Sequence, residues 1–441
     1  MAIICALLLL CISSGAEDFS ITYEKLEDNV GNVFQPWSSE RLNKFLDVPE
    51  GKWKLPKLNA PIPVYGFLTL GDTKRLFILD QAAKENEFFN RLYLDMNANN
   101  DLTDDLVIEG SFQYRGQYAV ETSFPSQDIT YQYEGKTLPY RFRLYGSVYF
   151  SFNKKEPITK EVLNQRFYPA VSARCIYKSQ FTVEGQKYQM LLADTNCNGR
   201  FDDALSLPSD YKKAFQYSRK IYASGDKMYL RKDGNFSWYD EQTVAKKIFL
   251  EGRLNDFSIS LAQGKLFFNP SADAAATINL PMQVDKLGLY REDGGVSINI
   301  YNAAENIKVP AGNYLLMGYS LIRKDSSGAE WWLKTSATID TPIFSVAENV
   351  VTSVKMGEPF LPRIEIPYWS LQQFKGNQKS VQISLVTEGT GGEEIDEISL
   401  RANQKTDILL SEKTPNRPKE ATYTISKLDG SIVAQGRFEY G

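Results

Sequence analysis

The stretch "LYLDMNANNDLTDD", residues 92–105, begins as an apolar strand. It then sets oxygen-bearing side chains at every second position, Asp95, Asn97, Asn99 and Asp101, followed by Asp104 and Asp105. Ninety-nine residues later "LLADTNCNGRFDD", residues 191–203, repeats the plan with Asp194, Asn196 and Asn198, then Arg200, Asp202 and Asp203. A strand-forming hairpin precedes each stretch. "PVYGFLTLGDTKRLFILD" (63–80) turns at Gly71-Asp72, and "ARCIYKSQFTVEGQKYQMLLAD" (173–194) turns near Glu184-Gly185. In the first copy "QAAKENEFFN" (81–90) interposes a short helical turn. Strand, turn, strand, Asp/Asn loop is thus a degenerate internal repeat of two copies.

Strand-like alternation extends over most of the chain, which predicts a mainly β protein. After Leu254 the pattern is continuously β. "VPAGNYLLMGYSLIRKDSSGAEWWLKTSA" (309–337) turns at Asp325-Ser326-Ser327-Gly328, and a closing hairpin turns at Asp429-Gly430. The step "VPAGNY", Val309 to Tyr314, resembles the strand edge of transthyretin-like and immunoglobulin-like sandwich modules. Boundaries near 255 and 360 then divide the chain into a β-rich region (17–254) and sandwich modules at 255–360 and 361–441. Helical periodicity is confined to "SSERLNKFL" (38–46), "KEVLNQRF" (160–167) and "SDYKKAFQYSRKIY" (209–222).

Alternate Asp and Asn side chains on a tightly curled backbone point at one centre, the arrangement a hard cation such as Ca²⁺ takes from a flexible loop. With Asp95 as position 1, Asn100 stands at position 6, where left-handed geometry suits Asn or Gly, and Leu102 at position 8 is a core anchor. Asp101 at position 7 offers its carbonyl. In the second loop Gly199, Arg200 and Phe201 fill positions 6, 7 and 8. These loops resemble the calcium loops of EF-hand and dockerin proteins. Two departures stand out: position 12 is Leu106 or Leu205 where those families place an acid, and strands lead in where an EF-hand has a helix. Ligand sets closed by Asp104 or Asp105, and by Asp202 or Asp203, are the expectation. Two structural Ca²⁺ ions of weak affinity follow. Solvated Asx turns are the alternative for either loop taken singly.

At 441 residues the chain exceeds one ordinary core. Its formal net charge of −4, with both signs mixed, lacks the basic footprint of a nucleic-acid binder. With no histidine, Ser-His-Asp and Cys-His catalysis and His-ligated zinc are excluded. Residues 1–16 read as a secretory leader with small residues before a cleavage point after Ala16. No Lys or Arg precedes its apolar core, which points to a start further upstream; a buried N-terminal strand is the other reading. Leu10 ahead of Cys11 argues against a lipid anchor, and no later stretch is apolar enough to span a membrane. Removing the leader leaves Cys175 and Cys197, for which a disulfide stapling the second loop stays open.

Two further groups merit weighing. The run Glu393, Glu394, Asp396 and Glu397 reads as a solvated turn rather than the paired carboxylates of glycoside hydrolysis. Trp331-Trp332 and Tyr368-Trp369, taken as strand residues, each put one ring in the core and one outward, a hint of sugar stacking. The expected protein is exported, to the periplasm, cell surface or medium. It is a calcium-stabilised binding or structural protein without catalysis, its partner an unknown protein or glycan. A carbohydrate-active enzyme or binding module is the alternative.

Overall fold

The computed structural model describes residues 16–28, 34–36, 38–151, 155–303, 306–376 and 380–440. Apart from Ala16, the expected leader lies outside the described residues. Strand accounts for 49% and helix for 6%, so the mainly β class stands, built from several sheets.

Three sheets share one core in the first half. The hairpin Val64–Leu70/Thr73–Asp80 pairs onward with Arg91–Leu94, which pairs with Ile108–Glu109. The second hairpin, Cys175–Val183/Gln186–Ala193, is flanked by Thr22–Lys25 and Lys227–Arg231. A third sheet centred on the long strand Lys136–Tyr149 lies with them. Leu68, Phe77, Phe142, Phe167, Met190 and Phe201 are buried together between the three. Each hairpin strand sends alternate apolar residues to that core, as the period of two requires. Glu184 and Gly185 both have positive φ (47° and 74°), the mirror-image turn whose twist suits a two-residue hairpin.

The second half is organised by a 12-stranded sheet whose first strand in the order, Glu17–Ser20, comes from the other end of the sequence. Over part of this sheet packs a three-stranded one, Asn306–Val309, Ala276–Asn279 and Val351–Ser353. Ile278, Ile307 and Val309 meet Leu287, Leu289 and Ile300 in the sandwiched core. The "VPAGNY" step is where the chain crosses between layers: Val309 ends a strand of the small sheet and Gly312–Lys324 begins one of the large. The large sheet continues through both positions suggested as boundaries. The hairpin Lys247–Leu250/Arg253–Ser260 straddles 255, and Leu361–Glu365 joins the same sheet through Ser384–Glu388 and Glu394–Leu400. The closing hairpin, Thr422–Ser426 with Ile432–Arg437, forms as its Asp429-Gly430 turn predicts and stands as a two-stranded sheet.

Several local expectations are corrected. "SSERLNKFL" is not a helix: Glu40–Arg41 and Lys44–Phe45 are short strands paired with 170–171 and 65–66, so sheet pairing overrides a helical period. Residues 81–90 carry turns and no helix. Lys160–Arg166 is helical as expected, capped by Thr159, whereas "SDYKKAFQYSRKIY" yields only Tyr211–Ala214. Tyr368 and Trp369 open a helix, Tyr368–Lys375, and are not strand residues. Cys175 and Cys197 are both free and buried; no disulfide joins them.

Candidate metal centre

Both Asp/Asn loops adopt the same backbone course. Positions 4 and 6 are left-handed in each, Ala98 and Asn100 at φ 60° and 68°, Cys197 and Gly199 at 55° and 82°. The position-8 anchors are buried as expected, Leu102 against Tyr65, Leu76 and Tyr93, Phe201 against Tyr140 and Tyr177.

Position 1 organises each loop. Asp95 is fully buried and accepts the backbone N–H groups of Asn99 and Asn100, each at 3.0 Å. Asp194, equally buried, accepts those of Asn198 (3.3 Å) and Gly199 (2.7 Å) and the Tyr140 hydroxyl (2.7 Å). Position 5 reaches position 10 in both: Asn99 Nδ2 donates to Asp104 at 2.8 Å, Asn198 Nδ2 to Asp203 at 2.7 Å. Asn97 and Asn196 Oδ1 each accept the N–H two residues on, at 3.0 and 3.3 Å. The structural counterpart of Asp104 is therefore Asp203, not Asp202.

The counterpart of Asp105 comes from elsewhere. Asp105 accepts the position-2 N–H, Met96, at 3.1 Å. Position 11 of the second loop is Ala204, and its duty falls to Asp226, which accepts from Thr195 N and Asp203 N, both at 3.0 Å. Asp226 stands at the start of the strand Lys227–Arg231 that returns beside Gln186–Ala193, as Asp105 shortly precedes Ile108–Glu109. The intervening excursion hid it from sequence spacing; its one signal is an Asp directly before a strand. Arg75 was also missed. Buried, it donates to the Met96 (3.4 Å) and Thr130 (2.6 Å) carbonyls beside the first loop.

Three side chains of the loops are engaged elsewhere: Asp101 and Arg200, expected to offer only their carbonyls, and Asp202. Asp101 pairs with Lys54 at 2.6 Å and is held down to about 2 chiefly by that bond. Arg200 pairs with Asp202 at 3.3 Å and stands 3.8 Å from Asp203. The loops thus converge Asp95, Asn97, Asn99 and Asp104, and Asp194, Asn196, Asn198 and Asp203, with Asp105 and Asp226 behind them.

The buried acids of both loops are shifted upward, most in the second. Burial raises Asp105, helped by its acidic neighbours, while Arg75 lies within electrostatic reach of Asp95 and Asp105. In the second loop Lys227 lies within electrostatic reach of Asp226, and neither Asp194 nor Asp226 has an ion pair among the described residues. Burial pushes Asp194 up to about 7; burial, then the charge on Asp194, pushes Asp226 up to about 8. In the unfolded chain both ionise near pH 4 (about 3.9). Between these values the folded state binds the extra protons. In metal-free buffer the stability they contribute is full below about pH 4 and lost as pH rises toward 8. Thermal unfolding in EGTA is expected to show this decline, and Asp226→Asn is expected to flatten it. An equal slope in both proteins would remove the pair as its cause.

The donor set suits a hard cation only in part. Among the described residues no three Asp, Glu or Cys side chains form a ready metal-ligand group. The Asn side-chain oxygens, each with one lone pair still uncommitted to the backbone, are of the oxygen type that a hard cation takes.

The acidic run proves to be no solvated turn: Glu394–Leu400 is a strand, and Glu393 and Glu394 are buried. Glu393 accepts from Tyr319 Oη (2.7 Å) and Gly357 N (2.6 Å), Glu394 faces Arg363, and Asp396 pairs with Lys220 at 2.5 Å. Glu393, Glu394 and Asp396 each have a neighbour of opposite or hydrogen-bonding character, although Glu393 Oε2 and Glu394 Oε1 accept no hydrogen bond among the described residues. Among the described residues no helix is long and apolar enough to cross a membrane. Set against known proteins, the chain matches no family model, no curated protein and no solved structure.

Proposed function

We propose that the two loops bind Ca²⁺ and that the ions brace the first half of an exported, non-catalytic binding or surface protein. One observation carries this reading: Asp194 and Asp226 are buried close together with no ion pair to either carboxylate among the described residues, at a loop already curled for oxygen ligation. Burying two like charges is costly unless a proton or cation compensates them. Asp194, Asn196, Asn198 and Asp203 would hold one ion, and Asp95, Asn97, Asn99 and Asp104 the other. The ion supplies positive charge where the fold gathers negative charge; the chain's own residues set the loop shape with or without it. Export rests on the leader-like residues 1–16.

Thermal unfolding of the chain in about 10 mM Ca²⁺ and in EGTA tests the reading. Sites of about 1 mM affinity stabilise by RT ln(1 + [L]/Kd), about 1–2 kcal/mol per loop, and the midpoint rises by a few degrees. Asp104→Asn with Asp203→Asn keeps the side-chain shape and is expected to abolish the rise. An identical midpoint with calcium and with EGTA would return both loops to plain Asx turns.

A further inference from the structure

Between the strands Lys227–Arg231 and Glu241–Thr243 on one side and the large sheet on the other lies a cavity of about 280 Å³. Two bulges shape it. Met317 is the extra residue where Gly312–Lys324 passes Gly288 and Leu289, and Asp396 is the extra residue opposite Lys334 and Thr335. Both extra residues line the cavity. Bulges re-aim side chains, and they gather beside functional sites.

Three lysines face this space: Lys227, Lys286 and Lys334. Lys227 bonds Thr243 at 3.0 Å and lies 3.7 Å from Glu241; Lys286 bonds the Tyr239 carbonyl and lies 3.6 Å from Asp240. Lys334, on the cavity wall, has neither a hydrogen bond nor an ion pair from its side chain among the described residues. Asp396 is committed to Lys220 and Ser336, and Glu397, opposite Lys334 in the sheet, to Arg417 and Ser399, which leaves Lys334 without an ion pair among the described residues. Burial first, and Lys334 in addition, pushes the Lys227 and Lys286 ammonium groups down.

Polar atoms also lack partners here. Gln242 Oε1, on the cavity wall, is buried without a hydrogen bond among the described residues. Behind the Tyr239–Trp332 ring contact (centroids 3.8 Å apart) a second cavity of about 510 Å³ shares Lys286, Tyr239 and Trp332. Its wall includes Tyr301, 4% exposed, whose hydroxyl is likewise unpartnered. Buried polar groups are nearly always satisfied, so two unpartnered polar atoms in the walls of adjoining cavities single those walls out.

We propose that this cavity binds a small polyhydroxylated carboxylate of sugar-acid size. The carboxylate meets Lys334, hydroxyls meet Gln242, and the carbon face of the ring lies against Trp332 and Tyr239. A polyanion is disfavoured because Glu241 and Asp396 share the wall; as acceptors they suit hydroxyl groups instead. Nothing in this assignment depends on calcium.

Calorimetric titration with glucuronate tests it, with glucose as the uncharged control and benzoate as the carboxylate without hydroxyls, at constant ionic strength. Saturable binding of glucuronate alone is expected, in the full chain. Lys334→Gln is expected to weaken it about tenfold or more, since a charge-assisted hydrogen bond is lost. Lys308→Gln, an exposed site on another sheet, is expected to leave it unchanged. Gln242→Leu, which retains the volume and the charge, is expected to weaken it as well, so the site is tested even where one variant folds poorly. Absence of saturation by glucuronate, benzoate binding as tightly as glucuronate, or full affinity in both cavity variants would overturn the proposal.

Discussion

Asp194→Ala is expected to lower the unfolding free energy by about 3–5 kcal/mol, because each buried donor left without its acceptor costs about 1–3 kcal/mol. The carboxylate accepts from two backbone N–H groups and from the Tyr140 hydroxyl, all in a fully buried place that water does not reach. Tyr140 is itself buried in the shared core, so the damage is not confined to the loop. Relief of repulsion with Asp226 offsets part of the cost. Asp194→Asn separates the effects: it keeps an acceptor oxygen and removes the charge. In metal-free buffer it is expected to lose much less than the alanine variant, and in calcium to lack the ion's increment. Urea unfolding at neutral pH reads all of this. A midpoint for Asp194→Ala equal to that of the parent would contradict the buried network.

Gly318→Ala is the second large effect. Gly318 has φ +144°, and a Cβ there would lie 2.3 Å from the Thr335 carbonyl oxygen. That oxygen belongs to the neighbouring strand's backbone, which no rotamer change can move aside. Strain at this φ and the overlap together are expected to cost about 3 kcal/mol or more, read from the urea midpoint. Gly328→Ala is the control: its φ is +84°, with open space around the new methyl, and only about 1 kcal/mol is expected. Equal losses in the two variants would mean that the strands part easily at the bulge. The same change narrows the lysine-lined cavity, so its affinity for glucuronate is expected to fall with stability.

Much of the loop architecture was legible because it is local. An Asp that caps N–H groups four and five residues on, an Asn or Gly at a left-handed position, and an apolar anchor are all specified within a dozen residues. The hairpins at 71–72, 184–185 and 429–430 were legible for the same reason. Asp226 was not, since it reaches the second loop by strand pairing after an excursion of more than twenty residues (203 to 226). Pairing at a distance also converted 40–41 and 44–45 into strands despite their helical spacing. The acidic run looked solvated because a carboxylate's burial is decided by partners such as Tyr319 and Arg363, whose proximity no spacing announces. Trp331 and Trp332 point to opposite faces as strand alternation requires: one bonds Asp325 and packs in the sandwich core, the other walls the cavity. Tyr368 and Trp369 defeated the same rule by being helical.

The edge strand Glu17–Ser20 has a consequence for how the chain is made. Ser20 pairs with Lys265, so one end of the large sheet is completed only by a segment synthesised some 245 residues later. At ribosomal speeds of about 5–20 residues per second, roughly ten seconds or more pass before that partner emerges. Thr22–Lys25 waits similarly for Cys175–Val183. Contacts so distant along the chain make for slow folding, since closure entropy is met before the pairing rewards it. The two early strands therefore stay without these partners until residues 175–183 and 265–270 have been made, and the first-made segment is among the last to find its place in the sheets.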